Sequence, residues 1–239
     1  MIYIRYFLNT FQCGGTIISP NHVVTAAHCL VPGRLPISAS DVQIGYGSID
    51  VDHMHFKRAA DFFIPATFNL TSMTDDIAVI YSEEPFEFSR NVNSTRIDMS
   101  RLKVNTTVYA AGWGVTSPDI TDTTPNGLRY TDVRVRSPDD CAKVRSGYNS
   151  SDYGVICAAN PAEGKDTCFG DSGGPDDDVD SNSSNNTTYL LVGLTSYGDS
   201  VNSNSNVTCA VPGVEAFYTH VGYYLPFIFN VTGLSAEDL

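Results

Sequence analysis

The chain has 239 residues, 42% of them apolar, with 19 Gly and 12 Pro, a composition that suits a packed, turn-rich unit and excludes a disordered polymer. A formal charge of -13 excludes the clustered Lys and Arg that phosphate binding needs, so no nucleic-acid partner is expected, whereas a cationic partner would be steered favourably. No apolar run approaches the roughly 20 residues of a membrane helix, so no membrane span is expected.

In chain order, the first apolar stretch is interrupted by Arg5 and shows neither the long apolar region nor the small-residue cleavage site of a signal peptide, so the start is expected to be incomplete. Short apolar segments at 15–19, 42–44, 77–81, 108–111 and 189–194 alternate with Gly, Pro, Asn and Asp clusters, which reads as antiparallel β structure. Asp50, Asp52, His53 and His55 lie close together, and the two histidines would share one face of a strand, a weak metal signal that most often marks a solvated polar face. Residues 176–188 and 199–208 are almost entirely Asp, Asn, Ser and Thr and read as solvated loops. Near the end, Tyr224, Leu225, Ile228 and Val231 recur at helical spacing and predict a short terminal helix that must accommodate Pro226.

Six cysteines point to an oxidising compartment, although they allow fifteen pairings and counting selects none. Asn69, Asn93, Asn105, Asn149, Asn182, Asn185, Asn186, Asn206 and Asn230 each begin Asn-x-Ser/Thr, a density that suits a secreted glycoprotein.

Serine attack on a carbonyl needs a base for the hydroxyl proton, an acid to orient that base and backbone donors for the oxyanion. Cys13-Gly14-Gly15-Thr16-Ile17-Ile18-Ser19, followed by Val23-Val24-Thr25-Ala26-Ala27-His28-Cys29, resembles the histidine motif of the chymotrypsin/trypsin-like serine peptidases. Asp75-Asp76-Ile77-Ala78-Val79-Ile80 resembles that family's aspartate motif, with Asp76 rather than Asp75 in the active position. Asp166-Thr167-Cys168-Phe169-Gly170-Asp171-Ser172-Gly173-Gly174-Pro175 resembles its nucleophile loop, and the order His, Asp, Ser is the chymotrypsin order. Gly112-Trp113-Gly114 looks like the family's strand motif opening a second barrel, and Ser196-Tyr197-Gly198 resembles the strand that pairs with substrate, with Tyr in place of Trp.

The resemblance implies an all-β fold of two packed antiparallel six-stranded β-barrels with a short C-terminal helix. One peptidase domain would cover 1–239, with an N-terminal barrel over about 1–111 and a C-terminal barrel over about 112–239. The family's first strand is expected to be missing. The implied disulfides are Cys13 with Cys29, Cys141 with Cys157, and Cys168 with Cys209, each stabilising by about 2–4 kcal/mol. His28, Asp76 and Ser172 would form the catalytic triad, with the N–H groups of Gly170 and Ser172 as oxyanion hole. Asp166, six residues before the nucleophile, would lie at the base of the specificity pocket and select Arg or Lys, while Ala216 falls where a glycine usually keeps that pocket open.

Two departures from the family pattern bear on activity. Active members bury a freed Ile-Val-Gly-Gly ammonium against the acid before the nucleophile, here Asp171, and no such sequence occurs in this chain. After Pro175 an apolar strand is expected, whereas Asp176-Asp177-Asp178-Val179-Asp180 is found, so this strand is expected to be displaced outward. The first function is a secreted, monomeric serine endopeptidase that acts on proteins or peptides, needs no cofactor or metal and meets protein inhibitors. The second is a non-catalytic relative that binds other hydrolases such as glucanases.

Overall fold

A computed structural model describes residues 1–6, 12–117, 123–160, 163–179, 188–200, 209–211 and 213–239. The first barrel is built from β1 (Ile2–Tyr6), β2 (Gln12–Ile17), β3 (His22–Thr25), β4 (Val42–Tyr46), β5 (His55–Phe63) and β6 (Ala78–Ser82). They close antiparallel in the order β1-β2-β3-β6-β5-β4. The second contains β7 (Thr107–Gly112), β8 (Arg129–Val135), β9 (Val155–Ala159), β10 (Pro175–Val179), β11 (Tyr189–Ser200) and β12 (Val214–His220), closed in the order β10-β11-β12-β9-β8-β7. Closure removes the free sheet edges that would otherwise invite association.

The first strand, expected to be missing, is present. Ile2 and Ile4 are buried and alternate with Tyr3 and Arg5, the period of a strand with one face in the core. Ile4 pairs with Cys13 of β2 and Ile44 of β4, so β1 is the stave that closes the barrel. Arg5 does not break the pattern because its guanidinium lies 3.7 Å above the Phe56 ring and its Nε donates to Gln43.

The strand expected to be displaced is also in place. β10 pairs with β11 on one side and β7 on the other, with Asp176 opposite both Gly193 and Ala110. The backbone dictates this placement, because Thr195 N donates to Gly174 O at 2.9 Å and fixes the residue from which the strand departs. Asp176 is consequently 0% exposed, and neither carboxyl oxygen has a hydrogen-bond partner among the described residues. Burial, with Asp177 and Asp178 adjacent, pushes its pKa well above the ordinary carboxyl value, so the strand tolerates this acid by keeping it neutral. Residues 180–187 and 201–208 of the expected polar loops lie outside the described residues, as do Asn182, Asn185, Asn186 and Asn206.

Where the barrels meet, Ile18, Val24, Ile77 and Val79 of the first pack with Leu191 and Leu194 of the second, and with Val221, Tyr224 and Ile228 near the C-terminus. Each fully buried aliphatic side chain contributes about 1.5–3 kcal/mol, so this seam fixes the two barrels where Asp76 lies between them. The expected terminal helix is a 3-10 turn, Val221–Tyr224, running into α2 (Leu225–Thr232). Pro226 falls in the first turn of α2, where its missing N–H has no helical partner to lose. Among the described residues the other α-helix is α1 (Pro138–Val144). The disulfides join Cys13 to Cys29, Cys141 to Cys157, and Cys168 to Cys209. Among the described residues no helix is long and apolar enough to cross a membrane.

Burial also raises Asp166 and Asp177 to about 7 and Asp171 to about 6. A carboxyl whose folded value exceeds its unfolded one contributes stability that is fully present in acid and lost as pH rises from about 4 through about 7. The melting temperature should therefore be highest near about pH 4, the ordinary carboxyl value, below which the depressed Asp76 loses its contribution, and decline toward neutrality. Asp176→Val should raise it at neutral pH by the equivalent of about 1–3 kcal/mol and flatten the decline. Thermal melts of both proteins across this range check the expectation, which a maximum near neutral pH would contradict.

Candidate active site

His28 sits in the 3-10 turn Ala27–Cys29 that ends β3, and the Cys13–Cys29 disulfide ties this turn to β2. Asp76 immediately precedes Ile77 and β6, and is 1% exposed. The sequence brings these two together by strand pairing, since β3 and β6 are neighbours with Thr25 opposite Ala78. Asp76 Oδ1 accepts the His28 backbone N–H at 2.8 Å, and Oδ2 lies 2.8 Å from His28 Nδ1. A carboxylate can only accept, so Nδ1 carries the ring proton and Nε2 is left as the ring's base.

Burial alone would raise the Asp76 pKa, but His28 and the hydrogen bonds it and Ser196 donate outweigh that penalty and hold the carboxyl below its usual range. Asp76 therefore stays ionised at neutral pH. The Ser196 hydroxyl donates to Oδ2 at 2.5 Å, and the Thr219 hydroxyl donates to the Asp76 carbonyl at 2.7 Å. Both donors come from the second barrel, β11 and β12, so the acid is gripped from both sides of the seam.

Ser172 lies in the loop that enters β10. The Gly14 N–H donates to Ser172 O at 2.7 Å, and the Gly173 N–H donates to Thr195 O at 2.7 Å, so the loop is fastened to both barrels. The Gly174 N–H bonds Asp171 O and the Asp171 N–H bonds Cys168 O, and none of these four bonds uses the amides of Gly170 or Ser172. Gly170 and Gly173 have φ of 97° and 72°, which L side chains rarely adopt. A Cβ on Gly173 would also run into the Thr25 hydroxyl and the Gly14 carbonyl. Asp171 turns inward, accepting N–H groups from Gly114 at 2.7 Å and Cys168 at 2.9 Å.

His28 and Ser172 line one cleft of about 360 Å³ together with Ser196, Tyr197 and Gly198. Tyr197 stacks on Phe217 with ring centroids 4.9 Å apart, which fixes the ring that replaces Trp. Asp166 and Asp171 instead line a neighbouring cavity of about 350 Å³, which meets the cleft at Thr167, Cys168 and Cys209. Asp166 accepts the N–H groups of Thr167 and Ala210, and burial, with Glu215 and Asp171 nearby, raises its pKa. Ala216 is buried in the core of the second barrel, paired with Gly198 and Ala158, and does not line the cleft.

The sequence places Ser196 by its backbone and misses its hydroxyl, whose bond to Asp76 spans 120 residues of chain. It also misses Met73 and Phe169, which line the cleft. Asp52, His53 and His55 are exposed and Asp50 is half-buried, and the group does not form one strand face: His53 ends the 3-10 turn Val51–His53 and contacts Asp50, while His55 opens β5. Among the described residues, the one group with ligand atoms close enough for a metal is Cys13, His28 and Cys29, and its two sulfurs are spent in the disulfide.

Two closed antiparallel barrels with an Asp–His pair and a serine in the cleft between them define the chymotrypsin-type fold. A family model described as Trypsin matches residues 2–228. The chain is 35% identical over 166 residues to trypsin alpha of Drosophila erecta, covering 69% of this chain and 62% of that protein. It is 32% identical over 234 residues to brachyurin of Leptuca pugilator, covering 94% and 89%. With transmembrane protease serine 11C of Mus musculus it shares 28% over 225 residues, 93% of this chain and 48% of the relative. The chain belongs to the trypsin family of serine peptidases.

Gly173→Ala should destabilise the fold by about 1–3 kcal/mol, because it combines a left-handed backbone with a buried clash. Urea unfolding measures the loss, and an unchanged midpoint would show that the loop is not held as described.

Proposed function

We propose that this chain is a secreted serine endopeptidase that hydrolyses peptide bonds through an acyl-enzyme, preferring Arg or Lys before the scissile bond. The observation that carries the reading is the buried Asp76 carboxylate bonded to both the backbone and the ring of His28, in the cleft that also holds Ser172.

Ser172 Oγ attacks the carbonyl carbon while His28 Nε2 takes its proton, and Asp76 stabilises the imidazolium that forms. The oxyanion is met by the N–H groups of Gly170 and Ser172, each worth about 3 kcal/mol in the transition state. His28 then gives the proton to the leaving amine. A water, deprotonated by the same nitrogen, attacks the acyl carbon, and Ser172 Oγ departs with the returned proton. No metal or cofactor has a step in this sequence, and turnover should survive a strong chelator.

The Arg or Lys preference rests on Asp166, a shielded carboxyl close to the cleft that would be fully ionised by a bound cation. The family resemblance assigns Asp171 a terminal ammonium as its activating partner, so activity should be greatest in protein carrying a freed Ile-Val-Gly-Gly terminus. Three disulfides and the exposed sequons Asn69, Asn93, Asn105, Asn149 and Asn230 support an extracellular glycoprotein. Protein or peptide substrates, and protein inhibitors that fill the same cleft, are the partners of a monomer.

A tagged fluorophosphonate, which acylates only an activated serine, should label the protein and not Ser172→Ala. Absence of labelling in a folded, processed protein would overturn the catalytic reading. Separately, benzamidine should bind more tightly as pH rises through about 7, nearly tenfold per unit below that value, since only ionised Asp166 can pair with it. Asp166→Asn should abolish the pairing. A pH-independent affinity, measured against a neutral aromatic analogue, would remove Asp166 from the pocket.

A further inference from the structure

The turn that delivers Asp76 contains a second acid, Asp75, for which the triad has no use. Asp75 has φ 53°, a left-handed conformation that a non-glycine residue keeps only when its surroundings enforce it. Its carbonyl accepts the Ile77 N–H at 2.8 Å, so the chain reverses within three residues with Asp76 at the apex. That reversal aims the Asp76 carboxylate back at the turn of His28, where one oxygen meets the amide and the other the ring.

What enforces the turn lies on the other side of the seam between the barrels. The Tyr224 hydroxyl donates to Asp75 Oδ1 at 2.8 Å. Tyr224 is 8% exposed, and its ring packs in the cluster that includes Ile77 and Val79, the residues that follow Asp76. It closes the 3-10 turn Val221–Tyr224, which follows β12 directly. β12 also supplies Thr219, the donor to the Asp76 carbonyl. The C-terminal segment thus holds the aspartate turn at two successive residues, at the Asp75 side chain and the Asp76 backbone.

We propose that Tyr224 is a positioning residue for the Asp76–His28 pair. Its hydroxyl holds Asp75 in the strained conformation, and that conformation sets the direction of the Asp76 carboxylate. The kinetic part of the proposal rests on the peptidase reading above, but the positioning itself does not.

The test uses Tyr224→Phe, which removes only the hydroxyl, Asp75→Ala, which removes the acceptor, and Asp75→Asn, which keeps a side-chain oxygen able to accept. The first readout is the low-field proton resonance of His28 Nδ1–H in histidine-labelled protein, assigned by its loss in His28→Ala. It should move or broaden in Tyr224→Phe and Asp75→Ala, and stay at the wild-type position in Asp75→Asn. The second readout is turnover of a peptide amide: kcat should fall about tenfold in the first two variants, the rate equivalent of one hydrogen bond, with KM within about twofold. The double variant Tyr224→Phe/Asp75→Ala should be no slower than Asp75→Ala alone.

A hydroxyl that only stabilised the fold would lower the melting temperature and leave the resonance and kcat of the folded protein unchanged, and that result overturns the proposal. Losses that multiply in the double variant overturn it as well. Because the resonance needs no turnover, a wild-type protein that fails to label at Ser172 would defeat the peptidase reading while the resonance still decides the role of Tyr224.

Discussion

A carboxylate between the two barrels, with one of its oxygens bonded to the His28 ring, is the constraint on which the structure turns. Asp76 is almost completely removed from water, a position that would be costly for a charge without compensation. Compensation comes from the His28 amide and ring in the first barrel and from the Ser196 hydroxyl in the second. The charge is affordable only while both barrels keep their places, so the chemistry of the site and the packing of the seam are one problem. The apolar cluster around Ile77, Val79, Leu194 and Tyr224 maintains that placement, and the hydrogen bonds convert it into a fixed imidazole tautomer.

The serine is held by the same logic with different parts. Its loop has little apolar surface to bury, so backbone hydrogen bonds from Gly14 and to Thr195 locate it, and glycines supply the conformations that those bonds require. The loop then feeds directly into β10, where Asp176 is buried without a hydrogen-bond partner among the described residues. A neutral acid in a barrel wall couples the strand that follows Ser172 to solution pH, a feature separate from the Asp76–His28 pair.

Much of this was legible in the sequence because it is written in local residue types. Ser, His and Asp with their flanking glycines and apolar strands mark the site, and Val108 and Ala110 alternate with more exposed neighbours as a half-buried strand must. What was not legible depends on partners distant in the chain. Arg5 looked like the end of an apolar stretch until Phe56 and Gln43 came beside it. Asp176 looked like solvent-facing sequence because no local rule anticipates a strand kept in a barrel by the loop before it. The hydroxyls of Ser196 and Tyr224 are ordinary residues in the sequence, and only the fold brings them to Asp76 and Asp75.

The central claim is that His28, Asp76 and Ser172 act as one unit. The measurement that bears on it most directly is the kcat/KM of Ser172→Ala, His28→Ala and the double variant on a single peptide substrate. The account predicts that either single change costs nearly as much as both together, because neither residue does chemistry without the other. Losses that multiply in the double variant would mean that the two residues contribute independently, and would contradict the account.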